Sequence, residues 1–100
     1  MPKYRVSLYV LRHEEGGRTK PFCAGYKATF HFNGIGGSCG LYKVDGYAGH
    51  DEIPQGVEHD AEVWLFTARS PAPAVGDTFE LREGERVSAK GKIAAVLGDS

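Results

Sequence analysis

The sequence is short of most features that would commit a chain to a specialised chemistry. Its two cysteines, Cys23 and Cys39, are too few for a disulfide framework, and no C-x₂-C pair marks a zinc site. It also lacks an excess of either charge: 12 Lys and Arg stand against 13 Asp and Glu, a formal net charge of −1. Autonomous nucleic-acid-binding domains usually carry a basic footprint that neutralises phosphates, and this balance provides only for a local basic patch. Long apolar runs are missing too. Lys3, Arg5 and Arg12 interrupt the opening before a signal-peptide core could form, and no stretch approaches the roughly 20 apolar residues of a membrane-spanning helix. The expectation is a cytoplasmic protein with reduced thiols and no membrane association.

Helical periodicity is equally scarce. The 14 glycines and five prolines punctuate the chain so often that no helical pattern lasts more than a turn or two. What is present is alternation of period two. Val6, Leu8 and Val10 share one face of a run from Tyr4 to Leu11, against Arg5, Ser7 and Tyr9. Tyr26, Ala28, Phe30 and Phe32 alternate with Lys27, Thr29 and His31. Ala61, Val63, Leu65 and Thr67 oppose Glu62, Trp64 and Phe66, a run apolar on both faces near its centre. Val87, Ala89, Gly91, Ile93 and Ala95 alternate with Ser88, Lys90, Lys92 and Ala94. A shorter strand, Thr78 to Arg82, leads into that last one through a hairpin turn at Glu83-Gly84-Glu85.

With 100 residues, 41% of them apolar, the chain makes a single domain over residues 1–100 with one core. Short strands separated by turn signals imply an all-β antiparallel barrel or sandwich. Gly91, inside a strand, implies a bend or a close backbone approach. The middle is less regular: Asn33 to Ser38 reads as a flexible loop, Cys39 to Val44 as a strand, and Asp45 to Gln55 as a longer loop.

Chemistry-bearing motifs are absent. There is no Gly-x₄-Gly-Lys-Ser/Thr sequence, so the chain is no GTPase. His13, His31, His50 and His59 fall into no metal-ligand spacing, and neither a metal nor a cofactor is implied. Ser38 and Ser70 lack the Gly-x-Ser-x-Gly elbow, and no catalytic signature places a base beside either thiol. Without an acid–base or nucleophile constellation, no enzymatic activity is expected. The glycines of Asn33 to Gly37 would need a following helix to cradle a phosphate, and none follows. Trp64 with Phe66, and Tyr26 with Phe30 and Phe32, suit core or inter-strand packing better than stacking on bases.

Two separated segments carry a family resemblance. The first runs from the strand Tyr4 to Leu11 through Glu14-Glu15-Gly16-Gly17-Arg18 and Pro21-Phe22 to Gly25-Tyr26-Lys27 and Phe30-His31-Phe32. The second is Phe79-Glu80-Leu81-Arg82-Glu83-Gly84-Glu85-Arg86-Val87 with Ala89-Lys90-Gly91. In this order they resemble the C-terminal (third) domain of elongation factor Tu and related translation GTPases, here as a stand-alone domain. The resemblance is weak from Asn33 to Asp60. It implies a six-stranded antiparallel β-barrel that binds no nucleotide, packs on the GTPase and second domains, touches the exchange factor and contacts the T-stem of tRNA. The chain departs from the family pattern at Thr19-Lys20, usually His-Thr, and at Glu85, usually glycine.

The resemblance marks the loop Gly16, Gly17, Arg18, Thr19, Lys20 and the turn Arg82, Glu83, Gly84, Arg86 as the binding surface. A guanidinium, a hydroxyl and an ammonium on one glycine-bearing loop suit phosphate contacts. The same residues also suit a solvated connection whose glycines supply positive φ. The function expected is a non-enzymatic, translation-factor-like binding module that contacts tRNA or structured RNA. The alternative is a protein-interaction module that mimics the third domain and docks on a GTPase domain or another translation protein.

Overall fold

The computed structural model describes residues 2–66 and 71–99, apart from the side chains of Tyr42 and Asp99. Six strands account for most of them: β1 (Pro2–Val10), β2 (Lys27–Phe32), β3 (Ile35–Val44), β4 (Glu58–Leu65), β5 (Thr78–Glu83) and β6 (Arg86–Asp99). They close into a barrel in the order β1-β4-β3-β2-β5-β6, every pair antiparallel. The all-β, six-stranded antiparallel barrel expected from the sequence is the fold observed. A single 3₁₀ turn, His13–Glu15, is the one helical element among the described residues.

Alternation places the core. Val6, Leu8 and Val10 of β1, Phe30 and Phe32 of β2, and Ala61, Val63 and Leu65 of β4 point inward and are buried, as their period requires. Gly91 of β6 sits between Leu8 and Phe79 in register, and a Cβ there would stand 2.2 Å from the Phe79 ring. The close approach expected at Gly91 is therefore to an aromatic side chain in the barrel interior.

Three expectations are corrected. Asn33 to Ser38 is not a flexible loop: Asn33 and Gly34 alone make the turn, and Ile35 to Ser38 pair with β2. Both turn residues have positive φ, 54° and 75°, the geometry whose twist matches a two-residue hairpin. Second, the polar, double-glycine segment Glu14 to Phe22, between the first two alternating runs, reads as a connection that reverses or bends a strand pair, and it reverses none. β1 has β4 and β6 as neighbours and β2 has β3 and β5, so this segment crosses one end of the barrel. Third, Ser88 is buried rather than outward. A bulge between Leu81 and Arg82 leaves Ser88 without a strand partner on β5. Its hydroxyl donates to the Leu81 carbonyl at 3.1 Å, which satisfies it in the interior. Thr67 and Ser70 lie outside the described residues.

Candidate functional site

The crossing segment is fastened at both ends and in its middle. Leu11 N–H donates to Ser88 O at 3.1 Å, and the Glu15 carboxylate accepts the Arg12 N–H and the Tyr9 hydroxyl, each at 2.8 Å. Those donors hold the Glu15 carboxyl below its ordinary pKa, the Arg12 backbone bond first. Gly16, at φ 94°, ends the 3₁₀ turn in the left-handed region. Gly17 is needed for a different reason, because a Cβ there would meet the Leu11 carbonyl oxygen at 2.5 Å. Farther on, Phe22 is buried and stacks face to face on Tyr26, with centroids 4.1 Å apart.

Arg18 is the hinge of the site. Its carbonyl accepts a bond from the Gln55 amide at 2.9 Å, and the same amide reaches the Leu11 carbonyl at 3.0 Å. Its guanidinium lies 5.4 Å from the Tyr26 ring centroid and 3.3 Å from the Glu83 carboxylate. The two segments marked in the sequence thus meet through one ion pair, Arg18 with Glu83. Tyr26 closes the contact from below. Its hydroxyl donates to Ser88 Oγ at 3.1 Å, and burial pushes its pKa up to about 12.

Not every marked residue joins. Thr19 and Lys20 are exposed beside Arg18, and Gly84, at φ 61°, opens the two-residue turn that carries Glu85 and leads to Arg86, all exposed. Arg82 turns away onto the outer face of β5, where Glu80 Oε1 accepts from its Nε at 2.9 Å and its Nη2 at 2.5 Å. Sequence reasoning missed Gln55 and Ser88, whose partners are far along the chain and give no local signal. Of the two thiols, Cys23 is exposed and Cys39 is buried. A one-bridge pairing with Glu52 holds Cys23 in the loop, outside the core.

Among the described residues, no group of three or more His, Cys, Asp or Glu side chains converges to hold a metal ion. No described helix is long and apolar enough to cross a membrane. His59 is buried, its Nε2 2.9 Å from the Pro54 carbonyl and its ring edge-on to Tyr47. The arrangement offers hydrogen bonds, the three cations Arg18, Lys20 and Arg86, and a rigid scaffold.

These features define a small closed β-barrel that presents loops, of a class typically without catalytic residues. Over residues 1–97 the chain matches the family model for the elongation factor Tu C-terminal domain, and it belongs to that family. The family points to a translation-factor-like module.

Proposed function

We propose that this chain is a non-enzymatic binding module whose contact surface is the Gly16–Lys20 loop with the Glu83–Arg86 turn. Its partner on this reading is a protein, a translation GTPase domain or another translation factor, met in the cytoplasm. One observation carries this choice: the guanidinium of Arg18, at the centre of the loop, already has a carboxylate partner in Glu83. Cations engaged in this way contribute little to phosphate neutralisation, because binding RNA would require displacing an internal partner. A patterned surface of alternating charges instead suits a protein of complementary pattern, where it fixes register and rejects wrong partners.

Contact with tRNA or structured RNA is the second reading, favoured by exposed Thr19 and Lys20 beside the open backbone of Gly16. Calorimetric titration against a purified translation GTPase, paired with an RNA mobility assay at several salt concentrations, separates the two. The protein reading expects saturable binding to the GTPase that Thr19→Asp with Lys20→Glu weakens about tenfold, while tRNA mobility is unchanged even at low salt. Retardation of tRNA with a steep salt slope, and no heat with the GTPase, would overturn it.

A further inference from the structure

The outer face of β2, β3 and β4 holds a second feature that the loop site does not use. On β3, Gly40 is flanked in register by Lys27 on one side and Trp64 on the other. Lacking a side chain, Gly40 floors a slot of about 210 Å³ walled by Trp64 and Phe66. The Phe66 ring is 43% exposed although its tip stands only 3.0 Å from where a Gly40 Cβ would be. Lys27 lines the slot, and Lys3 stands against its Trp64 wall. Lys3 Nζ lies 4.4 Å from the Trp64 ring centroid, and Lys27 is exposed. Among the described residues neither lysine has a carboxylate within ion-pair distance, in contrast to Arg18 and Arg82. The slot continues past Lys27 and Phe66 into a groove of about 380 Å³ that runs by the Thr29 and Ser38 hydroxyls to Arg82.

We infer that this groove docks an extended acidic peptide segment, with one apolar side chain entering the Trp64–Phe66 slot. An exposed aromatic pocket on a rigid sheet is the usual seat of an interface anchor. The two lysines select for carboxylates beside that anchor, and the hydroxyls of Thr29 and Ser38 can bond the backbone of a strand laid across them. RNA fits the groove less well. Two available ammonium groups neutralise few phosphates. The slot residues are not on the Gly16–Lys20 loop, and only the far end of the groove reaches the neighbouring turn, at Glu83 and Gly84.

Selection of a displayed random-peptide library on the immobilised chain tests it. Enriched peptides are then synthesised and titrated while the fluorescence of Trp64, the single tryptophan, is followed. The expected class carries an aromatic or aliphatic residue flanked by Asp or Glu. Gly40→Val, which fills the slot floor with a residue suited to strands, should weaken binding at least about tenfold. Lys27→Glu alters an exposed side chain and so leaves the fold intact; it should weaken binding several-fold, more at low salt than at high. No enriched class, enrichment of basic peptides, indifference to Lys27→Glu, or stronger quenching by oligouridylate than by the peptides would each overturn the inference.

Discussion

Replacing Gly91 with alanine adds a single methyl group, yet the barrel interior has no room for it. In an open strand the change would stabilise by about 0.5–1 kcal/mol, because glycine loses the most backbone freedom on folding. Here the new Cβ would lie 2.2 Å from Phe79 Cζ and 2.7 Å from Cε1, where ordinary contacts begin near 3.4 Å. Phe79 cannot simply rotate away, for it is buried and stacked on Phe30 with centroids 4.5 Å apart. Relief requires the ring or the β5–β6 pair to shift by about an ångström, and overpacking of this kind costs about 1–3 kcal/mol. The net expectation for Gly91→Ala is a loss of about 1–2 kcal/mol.

Phe79→Leu alone should cost about 1–2 kcal/mol through lost packing on Phe30. Combined, the two should cost roughly what either does alone, since the shorter side chain vacates the space that the methyl group enters. A urea-unfolding cycle measures this directly, with unchanged m-values required throughout. The expected coupling is about 1–2 kcal/mol in favour of the double variant. If the two losses add within about 0.5 kcal/mol, or if Gly91→Ala stabilises the protein, the close-approach reasoning is wrong.

Three further outcomes follow from particular contacts. Unfolded tyrosine ionises near pH 10 and Tyr26 only at about 12, so the folded state keeps the proton longer. Stability from this group is intact below pH 10 and falls by about 1 kcal/mol as pH rises to 12, allowing for solvent screening of a half-buried ring; thermal melts of Tyr26→Phe should lack that part of the decline. Gly34→Ala forces a Cβ into φ 75° and should cost about 1–2 kcal/mol in urea unfolding, whereas Gly25→Ala, in open space without positive φ, should cost less than about 0.5 kcal/mol. Glu83→Gln should release Arg18 and bring weak, low-salt RNA binding into view by fluorescence anisotropy where the unaltered chain shows none, while stability changes by less than about 1 kcal/mol; no gain in RNA binding would mean that the ion pair does not restrain Arg18.

The barrel was legible because its strands are half-buried, and burial of one face imposes a period that a single sequence displays. Val6, Leu8 and Val10 needed no partner to be recognised as an inward row. The errors arose where local chemistry and tertiary pairing disagreed. Gly36 and Gly37 read as loop residues, yet a Cβ at Gly36 would stand 2.9 Å from the Thr29 methyl group, so a glycine there serves the close packing of β2 on β3. Asn33-Gly34 was the signal that could have located the hairpin, and the glycines after it obscured where the strand began. Ser88 broke the alternation because a bulge moves one residue off the ladder, which no period reveals. In the candidate site, Arg18 and the Glu83 turn were legible from the family resemblance. Their ion pair was not, and neither was Gln55, because its bonds to Leu11 and Arg18 span a crossing that depends on the closed strand order.

Closure of the barrel also constrains where recognition can occur. Strand edges are largely consumed by pairing, so a partner must engage end loops or the outer sheet face rather than extend the sheet. At the loop end, Arg18 is drawn inward, lying over Tyr26 and pairing with Glu83, and the neighbouring turn sets Glu85 against the exposed Lys20 and Arg86. On the sheet face the order reverses. There Lys3 and Lys27 stand without acidic partners among the described residues, beside aromatic surface that the sheet leaves uncovered. The chain's near-zero net charge therefore conceals two unlike surfaces, one internally compensated and one not. An uncompensated cation retains its full long-range attraction, so Lys27→Gln should lower the association rate of an acidic partner more than Arg18→Gln does, each change removing one unit charge. Stopped-flow measurement of both variants at two salt concentrations decides the point, and equal effects would refute the division between the surfaces.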